Sequence, residues 1–295
     1  MHDVFFFTDV HGHLKLYNAL KEWCLKQDPE CTIIYGGDAA DRGENGYQII
    51  KDILNTPQMN YLYGNHEDYF VKSADELIGH AAANDELYNK FHTVQNEKEA
   101  EQVLREAHGF HTNCHIQDSG WATLRDWLID GADEEIIEKI RVLPRTFTYE
   151  NLDFCHAGGS YKSFKEINDA EYNKETLNYW AEQKCIWDRD CLALGWETDR
   201  IGIFGHTTTI YLPTALYGSP DKSATHIRPA AWKDHMGAKH MREGWKIDMD
   251  TGATWTNRAY VLNCLTMNVY GFCYKELDDK IIELENYNIL EKNKI

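Results

Sequence analysis

Five times in this chain a short apolar run stops abruptly in a loop that carries a carboxylate, an amide or an imidazole. Val4-Phe5-Phe6-Phe7 runs into Thr8-Asp9-Val10-His11-Gly12, Thr32-Ile33-Ile34-Tyr35 into Gly36-Gly37-Asp38-Ala39-Ala40-Asp41-Arg42-Gly43, and Asn60-Tyr61-Leu62-Tyr63 into Gly64-Asn65-His66-Glu67. Leu152–Cys155 ends at His156, and Ile201–Phe204 ends at Gly205-His206. Between the first three runs lie helical patterns at 14–26 and 46–54, so the opening third reads as βαβαβ and requires a largely parallel sheet. Ligands of such sheets gather at the carboxyl ends of neighbouring strands, where these loops fall.

In the loop 36–43, glycines on both sides let the backbone turn tightly and approach a ligand, Asp38 can bind a cation, and Arg42 can fork onto an anion. A strand end, a capping Asp and a solvated charge pair account for the same residues taken alone. The recurrence of such loops favours a site. Asp9, His11, Asp38, Asn65, His156 and His206 form a set of oxygen and nitrogen donors, one that fits manganese, iron or zinc better than calcium, and no ligand cysteine suggests a soft or structural zinc site. Six protein ligands are too many for one open catalytic ion but suit two ions that share a carboxylate, here Asp38.

From Asp68 to about Lys139 the pattern is helical, with Leu77, Leu87, Phe91, Val103 and Leu104 as buried positions and a polar break around Thr112 to Ser119. This is the candidate cap. Arg145–Glu150 and Leu152–Cys155 read as a hairpin turning at Asn151. The run 213–244 is loop-like, while Lys246–Met249, Ala259–Leu265 and Val269–Tyr274 read as antiparallel strands completing a second sheet. From Asp278 the pattern fits either an amphipathic helix or a ragged strand. His108, His111, Cys114 and His115 are read as polar cap surface, because no second cluster completes a zinc site. His226, His235 and His240 are read as exposed or as substrate contacts, and Trp121, Trp127 and Trp187 as core rather than the mouth of the site.

The 295 residues are read as one domain, 1–277, with a helical cap at 68–140, a loop insertion at 213–244 and a tail at 278–295. A net charge of −18 opposes diffuse attraction to nucleic acid or anionic membrane. Eight cysteines without a CxxC pair are expected to be free thiols in the cytoplasm, and no apolar run reaches the ~20 residues of a membrane span.

Asp9-Val10-His11-Gly12, Gly37-Asp38-Ala39-Ala40-Asp41-Arg42-Gly43, Gly64-Asn65-His66-Glu67, His156-Ala157-Gly158 and Gly205-His206-Thr207 together resemble the calcineurin-like metallophosphoesterases of the phosphoprotein-phosphatase type, especially the bacterial and bacteriophage serine/threonine phosphatases. Ile186-Trp187-Asp188-Arg189-Asp190 and Asp248-Met249-Asp250-Thr251-Gly252-Ala253 extend the likeness over roughly residues 3–275. The resemblance implies an α/β (α+β) fold, a β-sandwich of two mixed sheets flanked by helices. It implies that Asp9, His11 and Asp38 hold one divalent ion and that Asp38, Asn65, His156 and His206 hold a second, most simply manganese, with iron or zinc as alternatives.

Arg42 and Arg189 would clamp phosphate, His66 would protonate the leaving alkoxide, and Asp41 would orient His66. The implied reaction is phosphomonoester hydrolysis by a metal-activated hydroxide attacking in line. Its expected substrate is a phosphorylated protein or peptide. The alternatives are a small nucleotide phosphate, as for a symmetrical dinucleoside-tetraphosphatase, and an inactive phosphate-binding module. Thr8 stands where the family usually has glycine, and little effect is expected.

Overall fold

The computed structural model describes residues 2–107, 109–159, 161–169, 179–189, 199–212, 227–232 and 244–292. Two mixed sheets flanked by helices make up the fold. The first contains β1 (Val4–Phe7), β2 (Thr32–Tyr35), β3 (Met59–Tyr61), β9 (Arg258–Asn263), β10 (Asn268–Lys275) and β11 (Lys280–Asn288), in the order β11-β10-β9-β1-β2-β3. The second contains β4 (Thr146–Tyr149), β5 (Leu152–Cys155), β6 (Ile201–Phe204), β7 (Ala230–Trp232) and β8 (Lys246–Asp248), in the order β4-β5-β6-β8-β7. β1, β2 and β3 are parallel, as are β5, β6 and β8.

The two-residue period of a strand explains why β1 is apolar throughout. Phe5 and Phe7 face a core shared with the helices, while Val4 and Phe6 face a second core between the sheets, where Phe6 packs on Phe154 at 5.5 Å between ring centroids. Ile33 and Tyr35 against Ile34 divide in the same way.

That double burial also corrects the reading of the late strands. β8 lies in the second sheet, but β9 and β10 join the first, with β9 antiparallel to β1. Val261 enters the helix-side core while Tyr260 and Leu262 enter the inter-sheet core, so β9 needs a place covered on both faces. The ambiguous stretch from Asp278 forms β11, paired antiparallel with β10 along the sheet edge. Most of the 213–244 loop, with His226, His235 and His240, lies outside the described residues; its described portion contains β7.

On the helix side, α1 (Leu14–Gln27) and α2 (Gly46–Asn55) connect the parallel strands. Six helices stand between β3 and β4: α3 (Asn65–Ala82), α4 (Asp85–Phe91), α5 (Glu97–Ala107), α6 (Phe110–Gln117), α7 (Trp121–Ile129) and α8 (Glu134–Arg141). Leu77, Leu87, Phe91, Val103 and Leu104 are buried there as expected, and Trp127 is wholly buried. The polar break at Thr112 to Ser119 is instead largely helix α6, with Thr112 and His115 fully buried. Its start is held from outside: the Glu76 carboxylate on α3 accepts Gly109 N at 3.1 Å, His111 N at 3.2 Å and both Thr112 N and Oγ1 at 2.8 Å. Two short helices, α9 (Tyr161–Asp169) and α10 (Tyr179–Ile186), follow β5. No helix among the described residues is long and apolar enough to cross a membrane.

Candidate metal centre

The C-terminal ends of β1, β2 and β3 in one sheet, and of β5 and β6 in the other, deliver all six expected ligands to one place. Backbone hydrogen bonds tie the loops together: His11 N donates to Asp38 O at 3.1 Å, Gly12 N to Ala39 O at 2.9 Å, and Gly205 N to His156 O at 2.9 Å. Gly12 has φ +70°, and a side chain there would strike the Gly43 backbone, so glycine is required. Asp9, His11, Asp38, Asp41, Arg42 and His206 also have φ between 45° and 68°, in the left-handed region that non-glycine residues rarely adopt.

Ligand-atom positions of His11, Asp38 and His66 lie within 4.8 Å of one another, and so do those of Asp38, His156 and His206. Asp38 belongs to both groups. Its Oδ2 faces His11 Nε2 at 3.4 Å and its Oδ1 faces His156 Nε2 at 3.2 Å. Asn65 Oδ1 lies 2.9 Å from His156 Nε2 and 2.8 Å from His206 Nδ1. Asp9 Oδ1 is 3.9 Å from His11 Nε2, and its carboxylate accepts His206 N. Thr8 contributes more than backbone freedom, since its hydroxyl donates to Asp9 Oδ2 at 2.6 Å and orients that ligand.

Remote ring contacts orient the imidazoles. His11 Nδ1 donates to Ala40 O, His156 Nδ1 to Gly36 O and His206 Nε2 to Trp187 O, leaving the other nitrogen of each ring turned inward. His11 Nε2 is buried with no hydrogen-bond partner. An orphaned imidazole lone pair beside two carboxylates fits a divalent cation.

The charge balance agrees with that fit. Burial and the Asp250 carboxylate push both Asp9 and Asp248 well up, and burial, with the Asp38 charge, raises Asp250 as well. Burial with Arg42 holds His11 well down, and burial with His156 holds His206 down. Burial opposes the charge on Asp38, but His156 and His66 overcome it and hold the carboxyl well below its ordinary range. The same attraction outweighs burial at His156, raised to about 10. Without metal, the buried carboxylates are thus balanced by protons on imidazoles, which a cation would replace.

Beside the ligands, His66 Nδ1 donates to Asp41 Oδ2 at 2.7 Å, and Arg42 Nη2 stands 3.1 Å from His66 Nε2. Burial lowers the His66 pKa, yet Asp38 and Asp41 raise it to about 9. The Arg42 guanidinium is exposed and available to an anion. Arg189 is also exposed, at a position from which its charge helps to lower the pKa of His206.

Four further contributors carry no assigned role in the sequence reading. Glu67, fully buried, accepts Asp38 N at 2.8 Å, Ala39 N and Gly64 N at 2.9 Å, and the Tyr61 hydroxyl at 2.8 Å, so it clamps the Asp38 loop to the start of α3. Its capping spacing after Gly64 was the available signal. Thr123 Oγ1 accepts Asp41 N at 3.0 Å, and Asp118 Oδ2 reaches to 3.7 Å from His66 Nε2. His115, expected at the cap surface, is buried instead, with Nε2 at 2.9 and 2.8 Å from the two Asp41 oxygens. No local pattern marks that pairing, because the partners are 74 residues apart. His108 lies outside the described residues.

Comparison with protein-family models and with characterised proteins gives no match. Solved structures do match over nearly the whole chain. A protein provisionally described as a diadenosine tetraphosphatase is 12% identical, with 97% of this chain and 95% of that one covered and a TM-score of 0.45. A metallophosphoesterase from Sphaerobacter thermophilus is 14% identical, with 98% and 89% covered and a TM-score of 0.41. A protein serine/threonine phosphatase from Saccharomyces cerevisiae, described as similar to human phosphatase PP5, is 12% identical, with 97% and 80% covered and a TM-score of 0.40.

Proposed function

We propose that this chain is a metal-dependent phosphomonoester hydrolase of the metallophosphoesterase type that acts on phosphoserine or phosphothreonine in proteins. The carrying observation is one buried carboxylate, Asp38, shared by two imidazole-containing groups and flanked by the Asp41–His66 pair. Asp9, His11 and Asp38 would hold one divalent ion, and Asp38, Asn65, His156 and His206 the other. When bound, such ions supply Lewis acidity toward phosphoryl oxygens and acidify water at neutral pH.

The chain's own groups account for the rest. Arg42, with Arg189, offers planar N–H donors that match phosphoryl oxygens in pairs, a geometry lysine lacks. Asp41 accepts the Nδ1 proton of His66 and so fixes the ring, with Nε2 turned toward the anion-binding side to deliver a proton to the departing alkoxide. Asp118, with its side chain 49% exposed and its carboxylate 3.7 Å from His66 Nε2, disfavours a second phosphate there and supports a monoester over a polyphosphate.

The decisive experiment is hydrolysis of p-nitrophenyl phosphate by protein loaded with manganese, against the chelated protein. Turnover in the loaded protein alone is expected, and none in either would point to a binding module. Within an active enzyme, kcat/KM for a phosphothreonine peptide should exceed that for diadenosine tetraphosphate and for a nucleoside 2′,3′-cyclic phosphate. Preference for either nucleotide would move the substrate class while keeping the metal chemistry.

A further inference from the structure

The Asp41 carboxylate is shared. Besides His66 Nδ1, it receives His115 Nε2 at 2.8 Å on Oδ2 and 2.9 Å on Oδ1, and all three side chains are fully buried. His115 arrives from α6, in the helical segment between β3 and β4 in the chain, rather than from a strand end. Its ring is held on several sides: Tyr69 stacks on it at 5.9 Å and 16°, Phe70 packs at 6.2 Å, and Gly120 is so near that a side chain there would overlap the imidazole. Tyr69 also meets His66 edge-on at 6.1 Å, which places one aromatic ring against both histidines. Asp41 itself has φ +68°, and Thr123, on the next helix, accepts its N–H.

A carboxylate with one imidazole partner can rotate about its terminal torsion, which is broad for an aspartate. A second N–H spanning both oxygens removes that freedom. The His115 Nδ1 atom is buried without a hydrogen-bond partner, so the proton belongs on Nε2, where it faces Asp41.

Resting on the hydrolase reading above, we propose that His115 is a positioning residue: through its Nε2–H it fixes the Asp41 carboxylate, and thereby the orientation of the His66 ring that delivers the proton. The helical cap is then part of the catalytic apparatus and not only a cover.

The test uses the full chain. Glutamine carries its side-chain nitrogen as far along the chain as imidazole Nε2, whereas asparagine stops at the Nδ1 position. In His115→Asn, kcat for an alkyl phosphate should fall by about 10- to 100-fold, the scale of a misplaced catalytic group, while KM changes little. The loss should be smaller for p-nitrophenyl phosphate, whose leaving group needs no proton, and His115→Gln should recover most of it. Equal losses on both esters, or a glutamine variant as slow as the asparagine one, would overturn the proposal.

Imidazole ¹⁵N spectra of the unmutated zinc-loaded protein test the placement without turnover and without a variant. A proton on His115 Nε2, with a proton on His66 Nδ1 facing Asp41, is the expected pattern, and His115 protonated on Nδ1 in place of Nε2 would overturn the proposal. Should the unmutated protein hydrolyse no phosphate ester, the hydrolase reading fails by itself, and the spectra still decide whether His115 holds Asp41.

Discussion

In the proposed centre Asp38 would serve two ions at once, and the cost of removing it follows from that. Its Oδ2 faces His11 and its Oδ1 faces His156, both buried, so Asp38→Asn takes a charged donor from each group and leaves two dications with less screening between them. We expect both ions to be lost, and two equivalents retained in elemental analysis would rule out the shared role. The candidate ligands were legible because each follows closely on a local apolar run, a pattern that needs no knowledge of the fold. His115 was not legible: its buried partner is a carboxylate 74 residues away, and short-range context gave it only the company of other polar residues. Thr8 shows the same limit on a smaller scale, since its hydroxyl matters through the Asp9 oxygen it orients.

Helix α6 is weakly specified by its own residues. Thr112, Asn113 and Cys114 are mediocre helix formers, and the segment gains its start from the Glu76 carboxylate on α3, which takes three backbone N–H groups and one hydroxyl. That is why the stretch looks like a break in sequence and forms a helix in the fold. Glu76→Gln removes the charge that complements a helix N-terminus and should destabilise the protein by about 1 kcal/mol, readable as a lower urea midpoint. No change in that midpoint would mean that α6 is held by packing alone. The late strands posed the opposite difficulty. β9 and β10 were recognisable as strands, but their sheet is decided by the pairing of β9 with β1, across more than 200 residues of sequence, which periodicity does not carry.

Across the whole molecule, candidate ligands from two sheets meet at a centre whose charge balance depends on protons. In the metal-free protein His66 and His156 are raised to about 9 and about 10, above an unfolded value of 6.5. Their stabilisation is complete below 6.5 and is lost as the pH rises through 9 to 10, because the native state then sheds protons that the unfolded chain has already released. Asp9, Asp248 and Asp250, raised from 3.8, act with the same sign as they ionise. The melting temperature of chelated protein should therefore fall from pH 7 to 10, and divalent ions should flatten the curve by occupying the place of the protons. A metal-free melting temperature that rises over this range would contradict the charge balance. The left-handed backbone at Asp9, His11, Asp38, Asp41, Arg42 and His206 adds strain of about 1 kcal/mol at each position, on top of the buried charge. Substituting glycine or asparagine there should relieve the fold and, on the proposed roles, abolish the chemistry, so stability and function would draw on the same few positions in opposite directions. In a population propagated for heat resistance alone, with neither ion nor ester present, these six would be the first to drift, and the order of their loss would rank what each withholds from the folded state.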